Sequence, residues 1–180
     1  MLPTLSAREV ANVAHAFAKA KLVGSGPWEC VWAVLPEVVL RSLGDSNPQQ
    51  LSNTAWAFAT AGHTSHELFH AISAEAVRRR LSGFKEQELS NTAWAFATAG
   101  HASHELFDAI SAEAVRRRLG GFNEQALSNT AWAFATAGHA SPELFNAISA
   151  EAVRRRLGGF NPQALSNTAW AFATAGHASH

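Results

Sequence analysis

The stretch "LSNTAWAFATAGH", from Leu51 to His63, decides how the rest of the chain is read. The same thirteen letters return at Leu89, Leu127 and Leu165, each 38 positions after the last. A fixed period of roughly 20–50 residues marks stacked supersecondary units, each too small to bury its own apolar face. The units beginning at Leu89 and Leu127 differ at three positions only: His104/Pro142, Asp108/Asn146 and Glu124/Pro162.

An older unit precedes them. In "REVANVAHAFAKA", Val10, Asn12, Ala14 and Phe17 fall where Leu51, Asn53, Ala55 and Phe58 stand, and His15 replaces the tryptophan. Its second half, Trp28–Leu43, realigns at 38 after an insertion around "VGSGP". The chain reads as one domain over 1–180: a degenerate unit 5–46, units 47–84, 85–122 and 123–160, and a truncated unit 161–180. The truncated unit has a first helix and no second, so end-to-end association or fraying is expected there.

Each unit holds two helices with readable ends. Asn161 is an N-cap, Pro162 suits the first helical position, and Phe160 can staple onto Leu165. Ser6 with Glu9 reads as a capping box, with Leu5 and Val10 as its staple. The first helix, A, stops at Gly62, Gly100, Gly138 and Gly176, where glycine accepts the left-handed conformation. The second helix, B, starts after Ser65, Ser103 and Ser141, and is expected to run through "AEAVRRRL" to the following "SG" or "GG". At about 100° per residue, Leu51, Ala55, Phe58 and Ala59 form the apolar stripe of helix A. Trp56 sits on its flank, and Asn53, Ala57 and Thr60 lie opposite. On helix B the stripe is Leu68, Phe69, Ile72 and Ala76, with His70 and Arg78 off it. No strand pattern appears, so the fold class is all-α, an α-solenoid of helical hairpins.

Composition narrows the function. Fourteen Lys and Arg balance fourteen Asp and Glu, so no overall basic footprint points to nucleic acid or anionic membrane. No apolar run approaches the roughly 20 residues of a spanning helix. The single cysteine, Cys30, rules out an internal disulfide framework. "MLPTLSAREV" does not read as a targeting peptide.

The period together with "FNPQALSNTAWAFATAG" resembles the octotricopeptide repeat family and the related helical repeats of FAST-kinase-like, RAP-domain proteins. The family's "L-(A/S)-N-x-x-W-A-x-A" core is matched at Leu51, Asn53, Trp56, Ala57 and Ala59, and again at each later unit. The resemblance implies a right-handed α-solenoid that binds single-stranded RNA on a concave helix A surface. It also implies work in mitochondria or plastids, in processing, stability or translation of an organelle transcript.

Asn53, Asn91, Asn129 and Asn167 are the candidate base contacts. One base per helical repeat is a known form of RNA readout, and an asparagine can both donate to and accept from a base edge. The bland alternative is a structural asparagine tying neighbouring helices together. The runs Arg78–Arg80, Arg116–Arg118 and Arg154–Arg156 hold nine of eleven arginines. Arg79, Arg117 and Arg155 are the candidate phosphate contacts, since guanidinium meets phosphate through two parallel hydrogen bonds. The alternative is that they complement a helix dipole and pair with Glu75 and its equivalents. Summed over unit 89–126, four acids against three arginines leave −1, so segregation of charge matters more than the total.

Trp56, Trp94, Trp132 and Trp170 could stack on bases, but filling the groove between units is the first expectation. His66 with His70, and His104 with Asp108, have metal-ligand spacing, yet Pro142 and Asn146 occupy those places one unit on. No metal or cofactor is expected. No nucleophile with a placed base and no phosphate-binding loop appears, so no catalytic residue is assigned. The competing function is a protein-interaction scaffold of the HEAT or TPR kind, which the neutral charge favours.

Overall fold

The computed structural model describes residues 5–23 and 27–176. Every regular element among them is helical. The A helices are α1 (Ala7–Lys19), α3 (Pro48–Ala61), α5 (Glu86–Thr98), α7 (Glu124–Ala137) and α9 (Pro162–Thr174). The B helices are α2 (Pro27–Ser42), α4 (His66–Arg78), α6 (His104–Arg116) and α8 (Pro142–Arg154), and a 3₁₀ turn at Leu43–Asp45 follows α2.

Local chemistry sets the starts of the A helices. Ser6 and Glu9 form the expected reciprocal cap: Glu9 N–H donates to Ser6 Oγ at 3.3 Å, and Ser6 N–H to Glu9 Oε2 at 2.8 Å. Asn47 and Gln50 repeat this arrangement at α3. Asn123 and Asn161 accept from the backbone N–H of Ala126 and Ala164, each at 2.8 Å. Gly62, Gly100 and Gly138 close the A helices with φ of 72°, 69° and 64°. The following His63, His101 and His139 donate back to Phe58 O, Phe96 O and Phe134 O at 3.1, 2.8 and 3.0 Å, the Schellman closure.

Helix B ends earlier than its sequence suggests. The helices stop at Arg78, Arg116 and Arg154, not at the glycines beyond. Arg80–Leu81, Arg118–Leu119 and Arg156–Leu157 all take φ between 52° and 54°. Leu81, Leu119 and Leu157 N–H donate five residues back, to Ala76 O, Ala114 O and Ala152 O. At two of the three turns the leucine gains by it: Leu81 and Leu119 enter the core, at 1% and 0% exposure, and that burial outweighs the helix propensity of arginine, whereas Leu157 makes the same turn at 50% exposure. A second departure concerns Ser141. Ser65 and Ser103 cap Leu68 and Leu106 N–H as expected, but the Ser141 hydroxyl bonds Ser111 Oγ at 2.6 Å instead.

Each A helix packs intimately on the next, α1 on α3, α3 on α5, α5 on α7, α7 on α9, while neighbouring B helices touch far less. Small residues make the A seams possible. Ala57, Ala95 and Ala133 have no exposure at all, and Ser52 and Ser128 donate across the seam to Glu88 O and Ala164 O. This overturns the helical-wheel position of Ala57, which the wheel placed on the open side. A wheel assumes one buried face, whereas these helices are flanked on both sides by A helices and backed by B helices.

The core between layers is aromatic. Phe69 meets Phe96 edge to face at 5.0 Å, and Phe107 meets Phe134 at 4.9 Å. Trp32 does the same work in the first unit. It meets Phe58 edge to face and stacks on His63, as Phe69 meets Phe96 and stacks on His101. Trp32 therefore takes the place of Phe69, an offset of 37 rather than the 38 read from sequence. Its larger ring also reaches Leu22 O, 2.9 Å from Nε1, which anchors α2 to the preceding loop. At the other end of the array, Leu165 is 37% exposed, where its equivalents Leu51, Leu89 and Leu127 are buried.

Candidate nucleic-acid interface

With both flanks of α3, α5 and α7 covered by A helices, one stripe of each stays open; α1 and α9, at the ends of the row, are covered on one flank. On α3 it is Gln49, Asn53, Trp56 and Thr60, at spacings of four, three and four. The same four residue types recur on α5, α7 and α9, and α1 carries Arg8, Asn12, His15 and Lys19 there. Asn53, Asn91, Asn129 and Asn167 are all half-buried on this stripe. Asn129 accepts from Gln125 Nε2 at 2.8 Å, so the glutamine one turn earlier orients it. Arg8, Asn12, Asn47, Gln49, Gln50 and Asn53 line a polar groove of about 340 Å³ between α1 and α3.

The tryptophans belong to the same stripe. Trp56, Trp94 and Trp132 are half-buried, and Trp170 is 47% exposed. Successive indoles lie side by side, Trp94 to Trp132 at 6.3 Å and Trp132 to Trp170 at 6.4 Å between ring centres. His15 meets Trp56 at 4.9 Å. The rings thus fill the groove between units, as expected from sequence, and also present an aromatic row to solvent. Spacing could have revealed this earlier: tryptophan stands three residues after asparagine, on the same helical face.

The arginine runs divide into three occupations. Arg78, Arg116 and Arg154 are exposed, and each grips the glutamate three residues before it with two hydrogen bonds. Arg79, Arg117 and Arg155 also hold that glutamate, and in addition Arg79 and Arg117 reach into the preceding unit while Arg117 and Arg155 reach the first residue of the A helix in their own hairpin. Arg79 donates to Ser46 O and Gly44 O, Arg117 to Phe84 O and Glu86, and Arg155 to Glu124. These three candidate phosphate contacts thus serve as structural ties, Arg79 and Arg117 between units and Arg155 between the two helices of one hairpin, with side-chain exposures of 15–21%. Arg80, Arg118 and Arg156 are exposed and make no such contact.

Glycine makes room for one of these ties. A Cβ on Gly121 or Gly159 would come within 2.9 Å of the Glu86 or Glu124 side chain, the carboxylates that Arg117 and Arg155 hold. The pairing also sets acidity. Hydrogen bonds from Arg78, Arg116 and Arg154 hold the carboxyls of Glu75, Glu113 and Glu151 down to about 2, against the opposing effect of burial.

Charge is sorted by edge. The B-to-A ends of the three full units, residues 75–88, 113–126 and 151–164, carry ten cations and six acids, a net +4. The A-to-B ends, residues 63–70, 101–108 and 139–146, carry four acids and no Lys or Arg, a net −4. The chain's neutrality hides this division. Histidines crowd the acidic edge: His66 and His101 rings lie 4.3 Å apart, and His139 Nε2 meets Asp108 Oδ1 at 2.9 Å. Burial, reinforced by His66 and His70, lowers the pKa of His101.

Among the described residues no group of three or more His, Cys, Asp or Glu could hold a metal ion, and no helix is long and apolar enough to cross a membrane. No protein-family model matches the chain, and no curated protein is significantly similar to it.

Proposed function

We propose that the chain is an α-solenoid of 38-residue helical hairpins whose A-helix surface binds single-stranded RNA. One observation carries the reading: the four later units repeat Gln, Asn, Trp and Thr on the open side of their A helices, and Trp94, Trp132 and Trp170 lie side by side. Amides supply donors and acceptors for base edges, and indoles supply stacking surfaces. A double helix hides its base faces and Watson–Crick edges; a single strand offers both. The closer approach of A helices than of B helices curves such a stack toward the A side, which favours a concave binding surface. The resemblance to octotricopeptide repeats supports the same reading, with a mitochondrial or plastid transcript as the target. Asn53, Asn91, Asn129 and Asn167 are the base contacts in this scheme. Identical residues at identical places read identical bases, so the interior units prefer a run of one nucleotide.

Binding to the four RNA homopolymers at two salt concentrations tests this. One homopolymer should bind best, and Asn91→Ala with Asn129→Ala should weaken it at least tenfold more than the others. An equal loss on all four would make the asparagines structural. The second reading, a protein-interaction scaffold, is favoured by one observation: the open stripe of α3, α5, α7 and α9 carries no formal charge. Absence of binding to every homopolymer at low salt would select it.

A further inference from the structure

We infer that the phosphates of a bound strand track Arg80, Arg118 and Arg156, one arginine per unit along the basic edge, while the bases turn inward over the Gln–Asn–Trp stripe. This rests on the RNA reading above and assigns the phosphate contact to residues other than Arg79, Arg117 and Arg155. The first argument is availability. The middle arginines are engaged by a carboxylate and by a further tie to the preceding unit or to the A helix of their hairpin, and the first arginines by the same carboxylate, so binding a phosphate through them would break existing pairs. The third arginines are exposed, and among the described residues their side chains engage no partner.

The second argument is a comparison inside the chain. A and B helices end in the same Schellman closure. At the left-handed position of that closure the A helices place Gly62, Gly100 and Gly138, while the B helices place Arg80, Arg118 and Arg156. The closures share this left-handed residue, although the B turns continue with a second one at Leu81, Leu119 and Leu157; the first position does not call for arginine, and glycine would adopt it without strain. The net +4 of this edge, against −4 on the opposite one, gives the arginine row a field that attracts a polyanion and orients it.

The third argument is position. Each B-to-A turn leads directly into the first turn of the next A helix, where Gln87, Gln125 and Gln163 stand, with Asn91, Asn129 and Asn167 one turn on. Phosphates along this edge therefore leave the bases facing the asparagines and, beyond them, the tryptophans.

The test compares the full chain with two triple variants on labelled RNA homopolymers over a range of salt. Far-UV circular dichroism and thermal melting first show that each is folded. Arg80→Gln/Arg118→Gln/Arg156→Gln is expected to lower the slope of log K against log salt by about 2, since each single-strand phosphate contact contributes about 0.7. The order of preference among homopolymers should stay the same. The charge-matched Arg78→Gln/Arg116→Gln/Arg154→Gln variant is expected to change the slope by less than half as much. An unchanged slope in the first variant, or an equal fall in both, would overturn the inference and leave the RNA reading standing. A wild-type chain that binds no homopolymer at any salt would overturn both together.

Discussion

The two layers of this molecule solve the same stacking problem with different forces. The A helices are held by contact: Ala57, Ala95 and Ala133 are wholly buried, and hydroxyls of Ser52 and Ser128 bridge adjacent helices. The B helices are held by charge: Arg79 and Arg117 reach back to carbonyls of the preceding unit, and Arg117 and Arg155 to the carboxylate that starts the A helix beside them. Close packing is possible where side chains are small and dispersion contacts are many. Where helices diverge, only a long side chain spans the gap, and arginine brings enough donors to hold both sides. The division has a consequence for function. Tight A seams fix the spacing of the asparagines and tryptophans, while the B helices touch each other less.

Four measurements break or sharpen this comparison. The largest effect is expected from enlarging one alanine in each layer. Ala133→Leu, in the seam flanking α7, should destabilise by about 3 kcal/mol or more, because two helices would have to separate. Ala112→Leu, exposed in the groove between α6 and α8, should change stability by about 0.5 kcal/mol at most. Equal effects in chemical denaturation would erase the distinction between the layers.

Next in size is the tie between B-to-A turns. Arg117→Gln removes donors to Glu113, Phe84 O and Glu86 at once, and should cost about 1–2 kcal/mol. Arg116→Gln removes only an exposed pair and should cost about 0.5 kcal/mol or less. If the two substitutions destabilise alike, Arg117 does not join units.

Acid should weaken the B layer before it reaches the A layer. Glu75, Glu113 and Glu151 have folded values of about 2, below their ordinary 4.5. Their contribution is therefore full above about pH 4.5 and is lost as the pH falls toward 2. His101, lowered by burial, adds an earlier loss as the pH falls through the ordinary imidazole range. Hydrogen exchange near pH 3 should show faster opening of α4 and α6 than of α5 and α7; uniform opening would contradict this.

The smallest effect has the opposite sign. Arg118→Gly relieves a left-handed arginine, which costs roughly 1–2 kcal/mol, but adds freedom to the unfolded chain. A net gain of about 0.5 kcal/mol is expected in thermal melting. A loss would show that Arg118 makes stabilising contacts in the folded state.

Much of the architecture could be read from the chain. Ser6 with Glu9, Asn161 with Pro162, and the terminal glycines of helix A mark their helix ends through local hydrogen bonds and backbone freedom, which neighbours in sequence decide. The buried stripes Leu51–Ala55–Phe58 and Leu68–Phe69–Ile72 follow from the helical period in the same way. Asn53 and its equivalents could be placed on the open side because they lie far from that stripe on a wheel.

What lay beyond the sequence depended on a second helix arriving from elsewhere. Ala57 is buried because a neighbouring A helix covers it, and nothing in α3 alone reports that neighbour. Helix B stops at Arg78 because Leu81 gains more by entering the core than the helix gains by continuing. Three identical arginines in a row have identical chemistry on paper. Which one pairs locally, which joins units and which stays exposed is set by the direction each leaves the turn and by what the preceding unit puts within reach. Period, caps and amphipathicity are short-range properties that the chain carries in itself, whereas burial on both flanks and the partners of a long side chain exist only once the units are stacked.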